Sequence, residues 1–222
     1  METTLHQQLK QCYAQDESQT EVTMGRFRID VVRDDELIEI QCASLSAIRD
    51  KCRKLLERHP LRVVKPVVMR TRIAKVKRSG GEITSRRMSP KRGDILDVFD
   101  ELIYFTRVFP HDNLIIEIPL VHVEQIRSPS RKRRRRAWHK NYHVEDTRLE
   151  SIESTIELRE PQDLLTLIDV PDATEHFTTA DLASWVDRPR WKAQQIAYVL
   201  RKTGAVNATD RKKTGIVYQP AA

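Results

Sequence analysis

The stretch GRFRIDVVRDDELIEIQ, residues 25–41, decides the fold that we predict for this chain. Apolar residues alternate with polar ones on both sides of the segment RDDE at 33–36, as in two strands that each bury one face. The RDDE segment is polar and turn-prone, although it lacks the glycine that the tightest hairpin turns prefer. The stretch therefore predicts a β-hairpin whose turn is centred between Asp34 and Asp35.

The predicted register brings two carboxylates together. Asp30 is expected directly across from Glu39, and Arg28 directly across from Gln41, with all four side chains on one face of the hairpin. Opposed residues have Cβ atoms roughly 5 Å apart, so like charges at these positions repel unless a cation lies between them. Mg²⁺ and Mn²⁺ bind through one or two carboxylates plus water and substrate phosphate. The hairpin therefore predicts a metal site with Asp30 and Glu39 as ligands.

A solvated hairpin face is the simpler alternative for the same residues, with Arg28 and Arg33 balancing the two carboxylates. However, Glu39 and Gln41 lie within the apolar run LIEIQC, which is typical of a strand buried on both faces. An unpaired carboxylate is costly in such a strand, so we expect it to have a partner. This argument favours the metal site.

These residues resemble the PD-(D/E)xK nuclease superfamily, whose members hold a divalent metal with an Asp on one strand and a Glu on the next. The resemblance rests on Asp30 and on the triplet Glu39-Ile40-Gln41, and it covers about the first 70 residues. The superfamily normally has a Lys where this chain has Gln41, and a Pro where it has Ile29. The resemblance implies a restriction-endonuclease-like mixed sheet core, hydrolysis of phosphodiester bonds with Mg²⁺ or Mn²⁺, and Gln41 as the residue that orients the attacking water.

Gln41 cannot supply the positive charge of the missing lysine. Charge that develops on a phosphate needs stabilisation by a metal or by a cationic side chain. Arg28 is a candidate because it is expected across from Gln41. Arg49 and Lys51 are candidates because they flank the buried stripe of a helix predicted after Ser44. We favour Lys51, since a slender ammonium can approach a metal-bound phosphate without a planar fit. Ordinary surface charge is the alternative for all three.

A strand predicted at 61–68 follows that helix, and the strand–helix–strand order indicates a parallel crossover beside the hairpin. The next stretch, RTRIAKVKRSGGEITSRR at 70–87, predicts a second hairpin around Gly80-Gly81, with basic residues at alternate positions. An exposed basic ribbon of this kind suits a phosphate backbone. The first part of the chain is therefore expected to be an α/β domain.

The composition changes after residue 128, where the run RKRRRR at 131–136 predicts a basic linker. Beyond residue 161, three predicted helices and a hairpin with a basic tip resemble a winged helix-turn-helix, whose second helix of the pair enters the major groove. A winged-helix module that binds protein is the alternative. The predicted divisions are 1–128 for the nuclease-like domain, 129–160 for the linker and 161–222 for the winged-helix domain. The candidate nucleic-acid contacts are Arg131, Lys132, Arg133, Arg134, Arg135, Arg136, Arg190, Lys192, Gln194, Gln195, Tyr198, Arg201, Arg211, Lys212 and Lys213.

The net charge of +7 and a pI near 9.4 indicate a polyanionic partner, with nucleic acid favoured over an acidic membrane surface. No apolar run approaches the roughly 20 residues that cross a bilayer, and the first residues show no signal-peptide pattern. Three cysteines, an odd number without metal-ligand spacing, suggest free thiols in the cytoplasm. We expect DNA as the partner, with RNA and a homodimer left open.

Two functions from different classes fit these observations. The first is a metal-dependent nuclease that acts on DNA in repair or defence. The second is a DNA-binding or regulatory protein whose nuclease-like core has lost its chemistry, with Gln41 as the visible loss. Binding of a divalent ion discriminates between them.

Overall fold

The computed structural model describes residues 3–16, 19–130, 141–168, 170–171, 175–213 and 215–221. Within these residues the fold is α/β, with an eight-stranded mixed sheet and a three-stranded sheet. The helices are α1 (Thr4–Tyr13), α2 (Arg49–Leu55), α3 (Phe99–Leu102), α4 (Thr179–Trp185) and α5 (Arg190–Thr203), with 3₁₀ turns at Leu45–Ala47, Ile95–Val98 and Pro161–Leu167. The strands are β1 (Thr20–Met24), β2 (Phe27–Arg33), β3 (Glu36–Ile40), β4 (Leu61–Val64), β5 (Val67–Val76), β6 (Ile83–Met88), β7 (Leu114–Pro129), β8 (Tyr142–Leu158), β9 (Phe177–Thr178), β10 (Val206–Lys212) and β11 (Gly215–Pro220).

β2 and β3 form the predicted hairpin, and its turn lies where the sequence places it. Arg33 pairs with Glu36, and the two residues between them, Asp34 and Asp35, have φ angles of 48° and 70°. Two consecutive left-handed residues make the primed type of turn, whose twist matches that of the flanking strands. Asp adopts this backbone conformation more readily than most residues because its short polar side chain can bond locally.

The first half of the large sheet has the strand order β1-β2-β3-β4. β1, β2 and β3 are antiparallel neighbours, whereas β3 and β4 are parallel and are joined through α2. The crossover predicted from the strand–helix–strand order is therefore confirmed. β5 and β6 form the predicted second hairpin, in which Gly80 has a φ of 69°.

β7 and β8 form a long antiparallel pair that runs from Ile116 with Leu158 to Pro129 with Tyr142. On its other side, β7 pairs with β4 up to Glu117 and with β5 from Leu120 onwards. A proline commonly interrupts a strand, but β7 is continuous through Pro119. Pro119 lies between the part of β7 that pairs with β4 and the part that pairs with β5. Its missing N–H therefore removes no hydrogen bond to either of these two strands.

β8 corrects the prediction of a linker at 129–160, because residues 142–158 pair with β7 along their length. This strand lies at an edge of the sheet and is largely exposed, so its sequence lacks the apolar alternation that identifies a half-buried strand. The arginine run Arg131–Arg136 lies outside the described residues. Pro129 and Tyr142, on either side of residues 130–141, form the last pair of the β7–β8 ladder.

Apolar residues cover both faces of the large sheet. Leu5 and Leu9 of α1 pack on one face with Val31 and Ile38. α2 and α3 pack on the opposite face, in a larger cluster. Members of this second cluster include Leu37, Cys52, Leu55, Leu61, Phe99 and Leu102.

The three-stranded sheet has the order β10-β11-β9 and packs with α4 and α5. Its aromatic centre is Phe177, whose ring lies 5.3 Å from Trp185 and 5.7 Å from Tyr218. Ile196 and Leu200 of α5 belong to the same apolar cluster as the residues of α3. This C-terminal unit, predicted as a separate domain at 161–222, therefore shares a continuous core with the large sheet.

Among the described residues, no helix is both long and apolar enough to span a membrane.

Candidate active site

Asp30 ends the ladder between β2 and β3. Beyond the pair of Val31 with Ile38, the amide of Ile40 donates to Oδ2 of Asp30 at 2.8 Å, so a side chain takes the place of a backbone acceptor. Nε2 of His6, on α1, lies 3.2 Å from the same oxygen. Burial opposes the charged form of Asp30, but the bonds from His6 and Ile40 outweigh it and lower the pKa of this carboxyl.

Glu39 is almost completely buried, with 4% of the residue exposed. Nζ of Lys51, on α2, lies 2.5 Å from Oε1 of Glu39, although this oxygen makes no hydrogen bond of regular geometry. Burial raises the pKa of Glu39 to about 7, Lys51 opposes this shift, and the charge of Asp30 adds to it. Glu39 is therefore poised to gain or lose a proton near neutral pH.

Asp30 and Glu39 do not lie on one face of the hairpin, which corrects the prediction. Asp30 contacts His6 of α1, whereas Glu39 contacts Lys51 of α2, and the two helices pack on opposite faces of the sheet. The alternation of β2 shifts at this point, because Ile29 packs in the α2-side cluster and Val31 in the α1-side cluster. Each carboxylate consequently has its own partner.

Arg28 is not across from Gln41, because the ladder ends before these residues. Arg28 pairs with Thr23 of β1, and its side chain is 71% exposed and forms an ion pair with Glu21. The amide group of the Gln41 side chain lies within the turn that follows β3. Its Nε2 donates to the carbonyl of Ser44 at 3.0 Å, and its Oε1 accepts from the amide of Ala43. Gln41 therefore holds this turn.

The structure brings one of the three candidate cations to a carboxylate of the site. Lys51 contacts Glu39 and also donates to the carbonyl of Arg28. Arg49 is half-buried and pairs with its neighbour Asp50 at 3.5 Å. Of the three candidates, Lys51 is therefore the one that contacts Glu39.

Sequence reasoning missed His6 and Lys10, which lie one helical turn apart on α1. Lys10 forms an ion pair with Glu21 of β1, and His6 contacts Asp30. Their i, i+4 spacing places both side chains on the same face of the helix, and this spacing is the feature of the sequence that could have identified them. Only the packing of α1 across the hairpin reveals which strand residues they meet.

Although Asp30 and Glu39 have partners on opposite faces of the sheet, the two carboxylates are neighbours, because the Glu39 carboxylate accepts a hydrogen bond from the backbone amide of Asp30. The donor set fits a small divalent cation. Asp30 and Glu39 supply two carboxylates, which Mg²⁺ and Mn²⁺ use together with water and substrate phosphate. The buried Oε1 of Glu39 lacks a hydrogen bond, and the Asp30 charge is close enough to raise the pKa of Glu39. Within the described ranges no group of three or more His, Cys, Asp or Glu side chains is arranged to hold a metal. Any ion here would therefore complete its shell with water and substrate oxygens.

The predicted groove-facing positions of α5 divide into two sets. Lys192 is buried, and its Nζ donates to Oδ1 of Asp100 on α3 at 2.6 Å. Gln195 donates to the carbonyl of Phe99 at 3.3 Å. Both residues therefore bind the helix to the large domain, which corrects their assignment as groove contacts. Lys192 precedes buried Ile196 by one turn, so the sequence carried a signal for this position.

The other set is exposed on the outer face of α5 and on β10. Trp191, which the sequence analysis did not select, is 64% exposed and lies on the same outer face, and Tyr198 is 38% exposed. The ammonium of Lys202 lies 5.9 Å from the centre of the Tyr198 ring. The predicted contacts that remain exposed are Arg190, Gln194, Tyr198, Arg201, Arg211, Lys212 and Lys213.

A family described as a domain of unknown function, DUF8091, matches residues 3–159. An uncharacterized protein of Treponema pallidum (strain Nichols) is 32% identical over 159 residues, which cover 71% of this chain and 62% of that protein. No solved structure matches. The family match ends one residue after β8, so it covers the eight-stranded sheet and leaves the three-stranded sheet outside.

Proposed function

The chain belongs to the DUF8091 family, and we propose that it is a metal-dependent nuclease that hydrolyses phosphodiester bonds in DNA. The observation that carries the proposal is the buried Glu39–Lys51 pair beside Asp30 at the end of the β2–β3 hairpin. A buried carboxylate with a strongly shifted pKa and a cationic partner is typical of functional sites. The element order of helix, three antiparallel strands, helix and parallel strand also agrees with the superfamily that the sequence resembles.

Each residue has a proposed role. Asp30 and Glu39 would hold the metal, which supplies Lewis-acid stabilisation of the phosphate and a nucleophilic hydroxide when bound. His6 orients Asp30 through the bond to Oδ2. Lys51 balances the charge of Glu39 in the free protein and stabilises negative charge on the phosphate.

Gln41 is proposed as a positioning residue. Its side chain is bonded to Ser44 and Ala43, so it fixes the turn that follows Glu39. An amide engaged at both ends has little freedom to orient a water molecule. This proposal replaces the direct role in orienting the attacking water that the resemblance implies.

The C-terminal unit is proposed to be a winged helix that binds DNA. The chain order of a 3₁₀ turn, β9, α4, α5, β10 and β11 and the sheet order β10-β11-β9 support this proposal. Exposed Arg190 and Arg201 on α5, with Arg211 and Lys212 on β10, supply cations for phosphate contacts.

The test combines calorimetry with cleavage of labelled DNA. Asp30→Asn should abolish cleavage in Mn²⁺ and weaken Mn²⁺ binding strongly, because it removes one of two charged ligands. Asp50→Asn is the matched control, since it makes the same change at an exposed carboxylate of α2. Unchanged Mn²⁺ affinity in Asp30→Asn would refute the metal site.

A non-catalytic DNA-binding protein is the second candidate. It is favoured by the partners that the two carboxylates already have, because Asp30 contacts His6 and Glu39 contacts Lys51. This candidate predicts no heat of Mn²⁺ binding and no cleavage of single-stranded, double-stranded or branched DNA. Tight DNA binding without either signal would support it over the nuclease.

A further inference from the structure

Two adjoining cavities form a groove between the β5–β6 hairpin and α3. The larger cavity, of about 500 Å³, includes Lys65, Lys91, Glu101, Arg127 and Tyr142 in its lining. The smaller, of about 320 Å³, includes Lys75, Arg87, Arg127 and Tyr142. Arg127 and Tyr142 line both, so the two cavities are adjacent. We call this surface the cationic groove.

Cations outnumber acids in the cationic groove. Its two acids are Asp97 and Glu101, and Glu101 is engaged by the amide of Leu45 at 2.9 Å and by Lys65 at 3.8 Å. Its five cations are Lys65, Lys75, Arg87, Lys91 and Arg127.

The groove cations also differ from cations nearby on the same strands. Arg72 and Arg86 are held by Glu150 and Glu124, at 2.8 and 2.9 Å. Across the part of the chain that the structure describes, four groove cations have no carboxylate within ion-pair distance. These four are Lys75, Arg87, Lys91 and Arg127. The excess positive charge of the groove is therefore available to a ligand.

An aromatic ring lies at the junction of the two cavities. The guanidinium of Arg127 lies 4.1 Å from the centre of the Tyr142 ring. Its Nε and Nη2 atoms both donate to Oε1 of Gln125, and these two bonds fix its position. An aromatic ring within a row of cations is the arrangement with which proteins bind single-stranded nucleic acid, since bases stack on the ring while phosphates contact the cations. The groove has both parts.

The shape of the groove selects a single strand. The bases of a duplex are paired and stacked, so a protein reaches their edges through grooves about 12 and 6 Å wide and does not enclose a single base. A concave site of about 300–1,000 Å³ encloses a group of ligand size. Bases of an unpaired strand are of that size, whereas a duplex would have to remain outside.

One residue of the groove, Lys65, contacts the turn that follows β3. Nζ of Lys65 donates to the carbonyl of Ala43 at 2.5 Å, and Gln41 donates to Ser44 in the same turn. This turn directly follows the strand that carries Glu39. A strand held at Lys65 would therefore lie next to the turn that follows Glu39.

We propose that the cationic groove binds a single-stranded segment of nucleic acid, such as the unpaired arm of a branched DNA. This inference rests on the proposed nuclease function, for which it names the substrate class. Phosphates would lie against Lys75, Arg87 and Lys91, and a base would stack at Tyr142.

The test measures binding without cleavage, by fluorescence anisotropy of a labelled single strand and its duplex in EDTA. Arg87→Gln should raise the Kd for the single strand several-fold and make its log–log salt dependence shallower by about 0.7 for one lost phosphate contact. Arg86→Gln is the matched control, because it makes the same change one residue away at a cation paired with Glu124. Tyr142→Leu should raise the Kd for the single strand about tenfold, because it removes the ring on which a base stacks.

The outcomes separate this inference from the proposed function. The groove proposal would be wrong if Arg86→Gln and Arg87→Gln raised the Kd for the single strand equally. It would also be wrong if Arg87→Gln weakened binding of the single strand and of the duplex equally. Cleavage activity does not enter this measurement. A protein that binds the single strand through Arg87 but never binds Mn²⁺ would keep the groove and reject the nuclease.

Discussion

The candidate active site and the outer face of α5 hold their charges in opposite ways. Glu39 is buried, has Lys51 as its partner and has its pKa raised to about 7. Arg201 is exposed, and the aromatic residues beside it are exposed as well. A buried charge can alter reactivity and stability, whereas an exposed charge adds mainly to salt-dependent attraction. The comparison therefore predicts different consequences for substitutions that look alike in sequence.

α5 contains both situations within one helix. Lys192 is 5% exposed and contacts Asp100 of α3, while Arg201 lies on the outer face. Both are cations in a basic helix, and both fit a recognition helix by sequence. The packing of α5 against α3 makes one of them part of the core.

The largest effect is expected at Lys51, under the proposed nuclease function. Lys51→Met should lower the single-turnover rate of DNA cleavage by about 10²–10³, the usual cost of removing one donor to a developing anion. Arg49→Met is the control, because Arg49 contacts Asp50 instead of Glu39. Parallel single-turnover assays at saturating protein check the prediction, and equal rates in both variants would assign the charge to metal alone.

The next effect concerns the stability that Glu39 contributes at different pH. Its folded pKa of about 7 lies above the ordinary value of 4.5, so the folded protein binds the proton more tightly than the unfolded chain. The stabilisation is complete below about pH 4.5 and is lost as the pH rises through 7, with a total of roughly 3 kcal/mol. In Glu39→Gln the free energy of unfolding should not show this decrease with pH. Urea unfolding at pH 5 to 8 measures the free energy of unfolding of both proteins. The same dependence on pH in both would contradict the prediction.

The smallest effects separate the two cations of α5. Lys192→Met should lower the free energy of unfolding by about 1–2 kcal/mol, because it breaks a buried charge-assisted bond. Arg201→Gln should change stability by less than about 0.5 kcal/mol but make the salt dependence of duplex binding shallower by about 0.9. Thermal unfolding and anisotropy titrations measure the two quantities. If both variants changed stability and salt dependence alike, the proposed difference between the buried and exposed faces of α5 would be wrong.

Local pattern was sufficient for the elements whose residues alternate or turn in characteristic ways. The hairpin centred between Asp34 and Asp35, the crossover through α2 and the hairpin at Gly80 all follow from such patterns. β8 did not, because an exposed edge strand buries little and carries no apolar alternation. The division at residue 128 therefore missed the last strand of the large sheet.

The sequence by itself determined the two strands that carry Asp30 and Glu39, the turn between them and the helix that carries Lys51. These features depend on side-chain periodicity and backbone preference, which are local. Only the tertiary structure decided that Asp30 meets His6, that Glu39 meets Lys51, and that Lys192 packs against α3. Contacts of this kind join residues far apart in the chain, so burial and partner are set by how the helices pack on the sheet. The end of the ladder at Asp30 is also a tertiary feature, because the Asp30 side chain accepts from the Ile40 amide and contacts His6 of α1.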